Sequence, residues 1–209
     1  NPALQQLRAR LDKGELGAVY QIATRRQGPF PARIADVGVV KDLATHDIDL
    51  TAWVARSPFA SVSAQTAHKS GRAHEDMVAA VGKLENGIIT NHLVNWLTPF
   101  KERLTVVTGE RGSLVADTLT ADLTFYANAS VDTQWDSVAA FRGVSEGDVI
   151  RYAFAKPEPL RVEHEAFRDA VLGIDGAKDR IVTMEQGLAT VAVASAMIES
   201  AKSGTVIKL

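Results

Sequence analysis

Residues 60 to 126 place the strongest constraint on the fold. The texture there is β-branched and of strand length, in "ASVSAQTAH", "DMVAAVGKLE", "GIITNHLVNWL", "RLTVVTGE", "SLVAD" and "DLTFYA". Turn-type triplets, Glu85-Asn86-Gly87 and Glu110-Arg111-Gly112, separate several of these segments. Connections of a few residues cannot return the chain to the start of a parallel neighbour, so the segments must pair antiparallel. Helical spacing occurs on both sides. Residues 3–13 put Leu4, Leu7 and Leu11 on one stripe, with Gly14 as a C-cap, and residues 39–55 form a second amphipathic helix stopped at Ser57-Pro58. Leu160, Phe167 and Val171 mark a helix over 158–173, and Leu188, Val191, Met197 and Ile198 another over 183–203. "LGAVYQIATRR" reads as a strand joined to the second helix by the proline-stiffened loop "QGPFPARIADVG"; "DVIRYAFA" and the terminal "TVIKL" read as further strands. The predicted class is α+β, a largely antiparallel open sheet with helices packed on one face. Such a sheet leaves its other face solvated or paired. Alternate residues such as Thr90, His92 and Val94 do not decide between the two.

Composition bounds the function. The chain has 209 residues, 46% hydrophobic and 23% charged, enough apolar surface for one core, and one domain over 1–209 is expected. Net charge is −2 and the longest basic run is Arg25-Arg26, so no nucleic-acid partner is expected. The absence of cysteine excludes disulfides and thiolate metal sites and points to a cytoplasmic setting. No uninterrupted apolar run approaches the roughly 18 residues of a membrane helix, and no membrane partner is expected. The chain opens at Asn1-Pro2-Ala3 without an initiator Met or signal peptide, which suggests a fragment.

The second helix contains "KDLATHDIDL", residues 41 to 50. At about 100° per residue, Asp42, His46, Asp49 and Trp53 fall within roughly 60° of one another, beside an apolar stripe of Val39, Leu43, Leu50 and Val54. A carboxylate four residues before an imidazole can hold its tautomer and raise its pKa, which suits general acid–base work. The same residues also fit solvated or capping aspartates with an interior histidine, or a divalent metal held by Asp42, His46 and Asp49, although hard-metal sites draw ligands from several elements. Gly143-Val144-Ser145-Glu146-Gly147 matches a nucleophile elbow, with His164 downstream, and makes a serine hydrolase acting through Ser145 a competing reading. That elbow requires a parallel sheet, and a glycine-rich surface loop fits the same residues. His68 and His74 flank a turn, and His164 sits among glutamates. His92 lies in a strand next to "NWLTPFKER", whose Asn95, Trp96, Lys101 and Arg103 can line a polar pocket or decorate a hairpin. No G-x-G-x-x-G and no Walker sequence is present.

The run "DVGVVKDLATHDIDL", preceded by "GELGAVYQIATRRQGPFP" and opened by "NPALQQLRARL", resembles the C-terminal domain of the glucose–fructose oxidoreductase, inositol dehydrogenase and MocA family. The resemblance spans essentially the whole chain. "RRQGPFP" and "NWLTPFKERLTVVTGERGSLVAD" look most like the branch that oxidises the sugar of UDP-N-acetylglucosamine at its 3-position. The resemblance implies a catalytic aspartate and histidine at Asp42 and His46, the histidine exchanging the proton of the hydroxyl being oxidised while hydride passes to or from NAD or NADP. It implies a sugar, sugar-nucleotide or polyol substrate, for which Arg25, Asn95, Trp96 and Lys101 are the candidate contacts in this sequence, and a homodimer or homotetramer through the open sheet face. Family members begin with a Rossmann domain and an E-K-P segment whose lysine assists the proton transfer. Neither is in this sequence, and Lys41 points about 100° from Asp42, so this chain is expected to hold no cofactor-binding residues and to be inactive alone. A non-catalytic binding or assembly module of the same fold is the alternative.

Overall fold

The computed structural model describes residues 1–34, 36–128 and 147–209. Helix α1 (Pro2–Asp12) is capped by Asn1, whose side chain accepts from the Ala3 amide at 3.0 Å. Leu7 is fully buried and Leu4 and Leu11 pack beside it, so the predicted stripe is the one that meets the sheet. Strand β1 (Val19–Pro29) runs past its predicted end. Gln27 and Pro29 belong to it because neighbours on both sides offer partners, Asn95 and Leu97 among them, and sheet pairing overrides the local loop signal of Gly28 and Pro29.

A π-helical turn (Val40–Ala44) leads into α2 (Thr45–Ala55), which Arg56 ends in the left-handed conformation, φ 51°. Strands β2 (Phe59–Ala67), β3 (Met77–Leu84), β4 (Ile89–Asn95), β5 (Leu97–Gly109), β6 (Gly112–Asp117), β7 (Asp122–Ala127) and β8 (Val149–Arg151) follow. The chain then forms α3 (Pro159–Val171), a 3-10 turn (Ala177–Arg180), α4 (Met184–Ser203) and β9 (Ile207–Lys208). The predicted turn triplets stand where expected, Gly87 taking φ 90° between β3 and β4. The strand predicted at "DVIRYAFA" is only three residues long. Residues 143–146, with the elbow serine Ser145, lie outside the described residues; beside them β7 and β8 pair antiparallel, not in the parallel geometry an elbow requires.

The nine strands form one sheet in the order β8-β7-β6-β5-β1-β4-β3-β2-β9. Every pair is antiparallel except β1–β4. Helix α2 returns the chain so that β2 runs in the direction of β1, and two hairpins later β4 runs that way too. Helices α1, α2 and α4 pack on one face, where Ile22, Val78, Val94, Val107 and Leu114 of the strands meet Val40, Ile48 and Met197. This is the predicted α+β arrangement. Each such side chain contributes about 1.5–3 kcal/mol of burial free energy.

The C-terminal helices differ from this pattern. The spacing that predicted them is present, but Phe167 is 61% exposed and Leu188 70%, with Leu160, Val171 and Val191 also exposed. Only the second half of α4 is seated, through Val193, Ala194, Ala196 and Met197. The stretch Ala177–Ser203 is also long and apolar enough, by length and composition, to cross a membrane. Counting uninterrupted apolar runs misses it because Glu185, Gln186 and Glu199 break the run. Its seated half lies against β2 as a core helix does.

Candidate functional site

The alternation of β1 decides which side chains reach the helix layer. Ile22, Thr24 and Arg26 point into it, and Arg25 points to the open face. A guanidinium in the helix layer needs a counter-charge, and α2 supplies one. Arg26 Nε donates to Asp47 Oδ1 at 2.8 Å, with both side chains nearly sealed from solvent. Burial pushes the Asp47 pKa up, and Arg26 acts against that shift by favouring the carboxylate. Asp47 Oδ2 has no hydrogen-bond partner. The Thr24 hydroxyl bonds to His92 Nδ1 at 2.8 Å, and His92 is buried with its Nε2 unpartnered. Burial lowers the His92 pKa to about 4, so this imidazole is neutral at neutral pH.

The start of the helical segment is held from a distance. Phe30 meets Trp96 edge-on with ring centroids 5.3 Å apart, and the Arg72 guanidinium lies over both rings. Arg72 also donates to the carbonyls of Ile34 and Val37, fixing the loop that delivers the helix. Glu75 then satisfies two amides that a helix start leaves open: its carbonyl accepts from Val39 and its carboxylate from Val40. Gly38 permits this approach, because a Cβ there would overlap the Glu75 carboxylate. The turn so capped is π-helical, a distortion frequent at functional sites. It carries Asp42, and the first α-helical turn after it carries His46.

His46 is exposed, with Arg26, Arg103, Asp47 and Asp42 near enough to act on it through their charges. The sequence led us to expect a raised pKa, yet it is lowered: burial is the largest cause, followed by Arg26, with Arg103 adding to it. The carboxylates of Asp47 and Asp42 oppose the shift without reversing it. Asp49, half-buried, is pushed up by burial. The lowered pKa favours the neutral ring, and the Asp47 and Asp42 carboxylates are near enough to favour its protonated form through their charge.

The four residues expected to touch substrate fall elsewhere than in one cluster. Arg25 pairs with Glu102 at 2.8 Å on the open face, Gln27 donates to the same carboxylate, and Asn95 donates to Gln27 at 2.8 Å. Trp96 is buried behind the 30–38 loop, and Lys101 is exposed beside Gly28. Residues the sequence reading passed over, Arg26, Asp47, Thr24, Arg72 and Glu75, build the surroundings of His46. A cavity of about 320 Å³ lies on the other flank of the π turn, lined by Lys41, His68, His74, Glu75 and Lys202 among others, and neither Asp42 nor His46 borders it. Among the described residues no three His, Asp or Glu side chains come together as metal ligands. Without a glycine-rich fingerprint, the sequence offers no such cradle for a dinucleotide's phosphates.

The family model described as the GFO/IDH/MocA C-terminal domain matches residues 4–115. A comparison with curated proteins finds no match. Among solved structures the chain is similar to the UDP-N-acetylglucosamine 3-dehydrogenase GnnA from Acidithiobacillus ferrooxidans, at 21% identity and TM-score 0.74, over 97% of this chain and 58% of that one. It is similar to the WlbA dehydrogenase from Bordetella pertussis, solved in complex with NADH and UDP-GlcNAcA, at 21% identity and TM-score 0.72, over 100% of this chain and 61% of that one. A super-repressor mutant of Gal80p from Saccharomyces cerevisiae shares the fold at 14% identity and TM-score 0.75, over 100% of this chain and 62% of that one. The chain thus spans about three-fifths of the length of the structures it matches.

Proposed function

The chain belongs to the GFO/IDH/MocA family, and from that premise we propose that residues 1–209 are the substrate domain of an NAD- or NADP-dependent oxidoreductase acting on a secondary alcohol. The substrate class is a sugar, sugar nucleotide or polyol, with a sugar nucleotide favoured by what GnnA and WlbA handle. The observation that carries the reading is an exposed His46 with a lowered pKa and Asp42 one turn before it on a π-distorted helix start. His46 accepts the hydroxyl proton as the alcohol is oxidised, and the negative charge of Asp42 favours the imidazolium that results. The hydride would go to a nicotinamide, for whose phosphates no glycine-rich cradle exists in this chain. Of the four residues expected around the substrate, Lys101 is exposed and is assigned to the wall of the site; Arg25 and Asn95 stand on the opposite, open face of the sheet and Trp96 is buried, so they are not assigned to it. The cysteine-free chain is assigned to the cytoplasm.

Assembly belongs to the same reading. Val81, Ile89 and Tyr126 are exposed on the open sheet face, and a second copy burying them in a two-fold arrangement gives a homodimer or homotetramer. The catalytic assignment is tested on the full-length enzyme with its cofactor. His46→Ala lowers turnover by about 10²–10⁴-fold with little change in cofactor affinity. Turnover within about twofold of the unmodified enzyme would remove His46 from the reaction.

A further inference from the structure

Arg26 and Arg103 stand directly opposite each other in the antiparallel β1–β5 ladder, both on the helix face. Like charges in that relation repel at close range. One counter-ion is at hand, and it is bound to Arg26: Asp47 Oδ1 at 2.8 Å. The neighbouring carboxylate on β5, Glu102, is turned to the open face and engaged by Arg25 and Gln27. Among the described residues no carboxylate pairs with Arg103, whose guanidinium is half-buried. It is nonetheless close enough to His46 to act on that ring through its charge. The two guanidiniums share one carboxylate, and Arg103 is left without an ion-pair partner among the described residues on the sheet floor near His46.

We infer that Arg103 is an anion-recognition residue that receives a carboxylate or phosphate group of the substrate beside His46, with Arg26 fixed by Asp47 as the neighbour that positions it. Guanidinium geometry suits such a ligand, since its planar fork presents paired donors to two oxygens of one anion. An anion bound between Arg26 and Arg103 offsets the repulsion of the two guanidiniums, which favours binding. The inference deepens the oxidoreductase reading and rests on His46 being the face that substrate meets.

The test is binding to the chain, followed through the His46 ring resonance by NMR. Inorganic phosphate and tartrate serve as the anionic probes and N-acetylglucosamine as the neutral one. Saturable binding of at least one anion is expected in the unmodified chain and in Arg25→Gln, and is about tenfold or more weaker in Arg103→Gln, with partial recovery in Arg103→Lys. In the absence of ligand, Arg103→Gln moves the His46 titration to higher pH, because one of the cations holding it down is gone. Preference for phosphate assigns the group to a phosphoryl moiety, and preference for tartrate to an acid sugar. Binding unchanged in Arg103→Gln, lost equally in Arg25→Gln, or absent for both anions overturns the inference. Because the readout is binding, that failure leaves the acid–base role of His46 standing, and normal turnover in His46→Ala leaves a positive binding result standing.

Discussion

The two faces of the central sheet use the same kinds of polar residue in opposite ways. On the open face, Arg25, Glu102, Gln27 and Asn95 form one connected chain of an ion pair and two hydrogen bonds in which each oxygen of the Glu102 carboxylate has a partner. On the helix face, Arg26, Asp47, Thr24 and His92 are sealed from water, and Asp47 Oδ2 and His92 Nε2 go unpartnered. A protein can hold polar groups on a wet face at almost no free-energy cost, whereas an incompletely satisfied set under a helix is expensive and is held there by the surrounding fold. The difference teaches where to look for chemistry: the dissatisfied side is the one beneath His46.

The comparison is broken most sharply by removing a single charge from each face. Asp47→Ala strands Arg26 in the interior and is expected to lower stability by about 3–5 kcal/mol, read as the shift in a urea unfolding midpoint at constant slope. Glu102→Ala, on the wet face, should fall within about 1 kcal/mol of the unmodified chain. Comparable losses for the two would mean that Arg26 and Asp47 are reached by water after all.

Acid sharpens the same contrast at an intermediate magnitude. The folded pKa of His92, about 4, lies below its unfolded value. The unfolded chain therefore takes up the proton first. The contribution of His92 to stability is complete above about pH 6.5 and is lost as pH falls toward 4, a loss on the order of 3 kcal/mol. Asp47 and Asp49, raised by burial, act in the opposite sense at low pH, so the effect is measured as the difference between the unmodified chain and His92→Gln across pH 4 to 7. Parallel curves would show that His92 does not drive the acid response. The smallest effect belongs to Arg25→Gln, within about 0.5 kcal/mol; a larger loss would show that the open-face network carries stability by itself.

Much of this could be read from the sequence, and the part that could not has a physical reason. The tight turns fixed the antiparallel neighbours, and the period of the apolar residues located α1, α3 and α4. Arg25 and Arg26 were indistinguishable, because strand alternation sends adjacent residues to opposite faces and only the register says which goes where. Asp47 was legible in hindsight. The stripe Val39, Leu43, Leu50, Val54 has its vacancy at 47, and an aspartate filling an apolar stripe calls for a buried cation. The π turn left no local signature, since it depends on Glu75. The apolar stripes of α3 and of the first half of α4 predicted burial and are exposed here: periodicity reports that a face is apolar, without saying what covers it.

The Glu75 cap links the site to the order in which the chain organises. The amides it satisfies belong to Val39 and Val40, thirty-five residues away in the case of its carboxylate bond to Val40. A peptide of residues 36–55 alone would lack that partner, and closing so long a loop has an entropic cost that must be met before the contact returns anything. The helix start that presents Asp42 and His46 thus takes its cap from the connection between β2 and β3. The placement of Asp42 and His46 depends on tertiary assembly, and lengthening or shortening the 68–76 connection is a way to change it without touching either side chain.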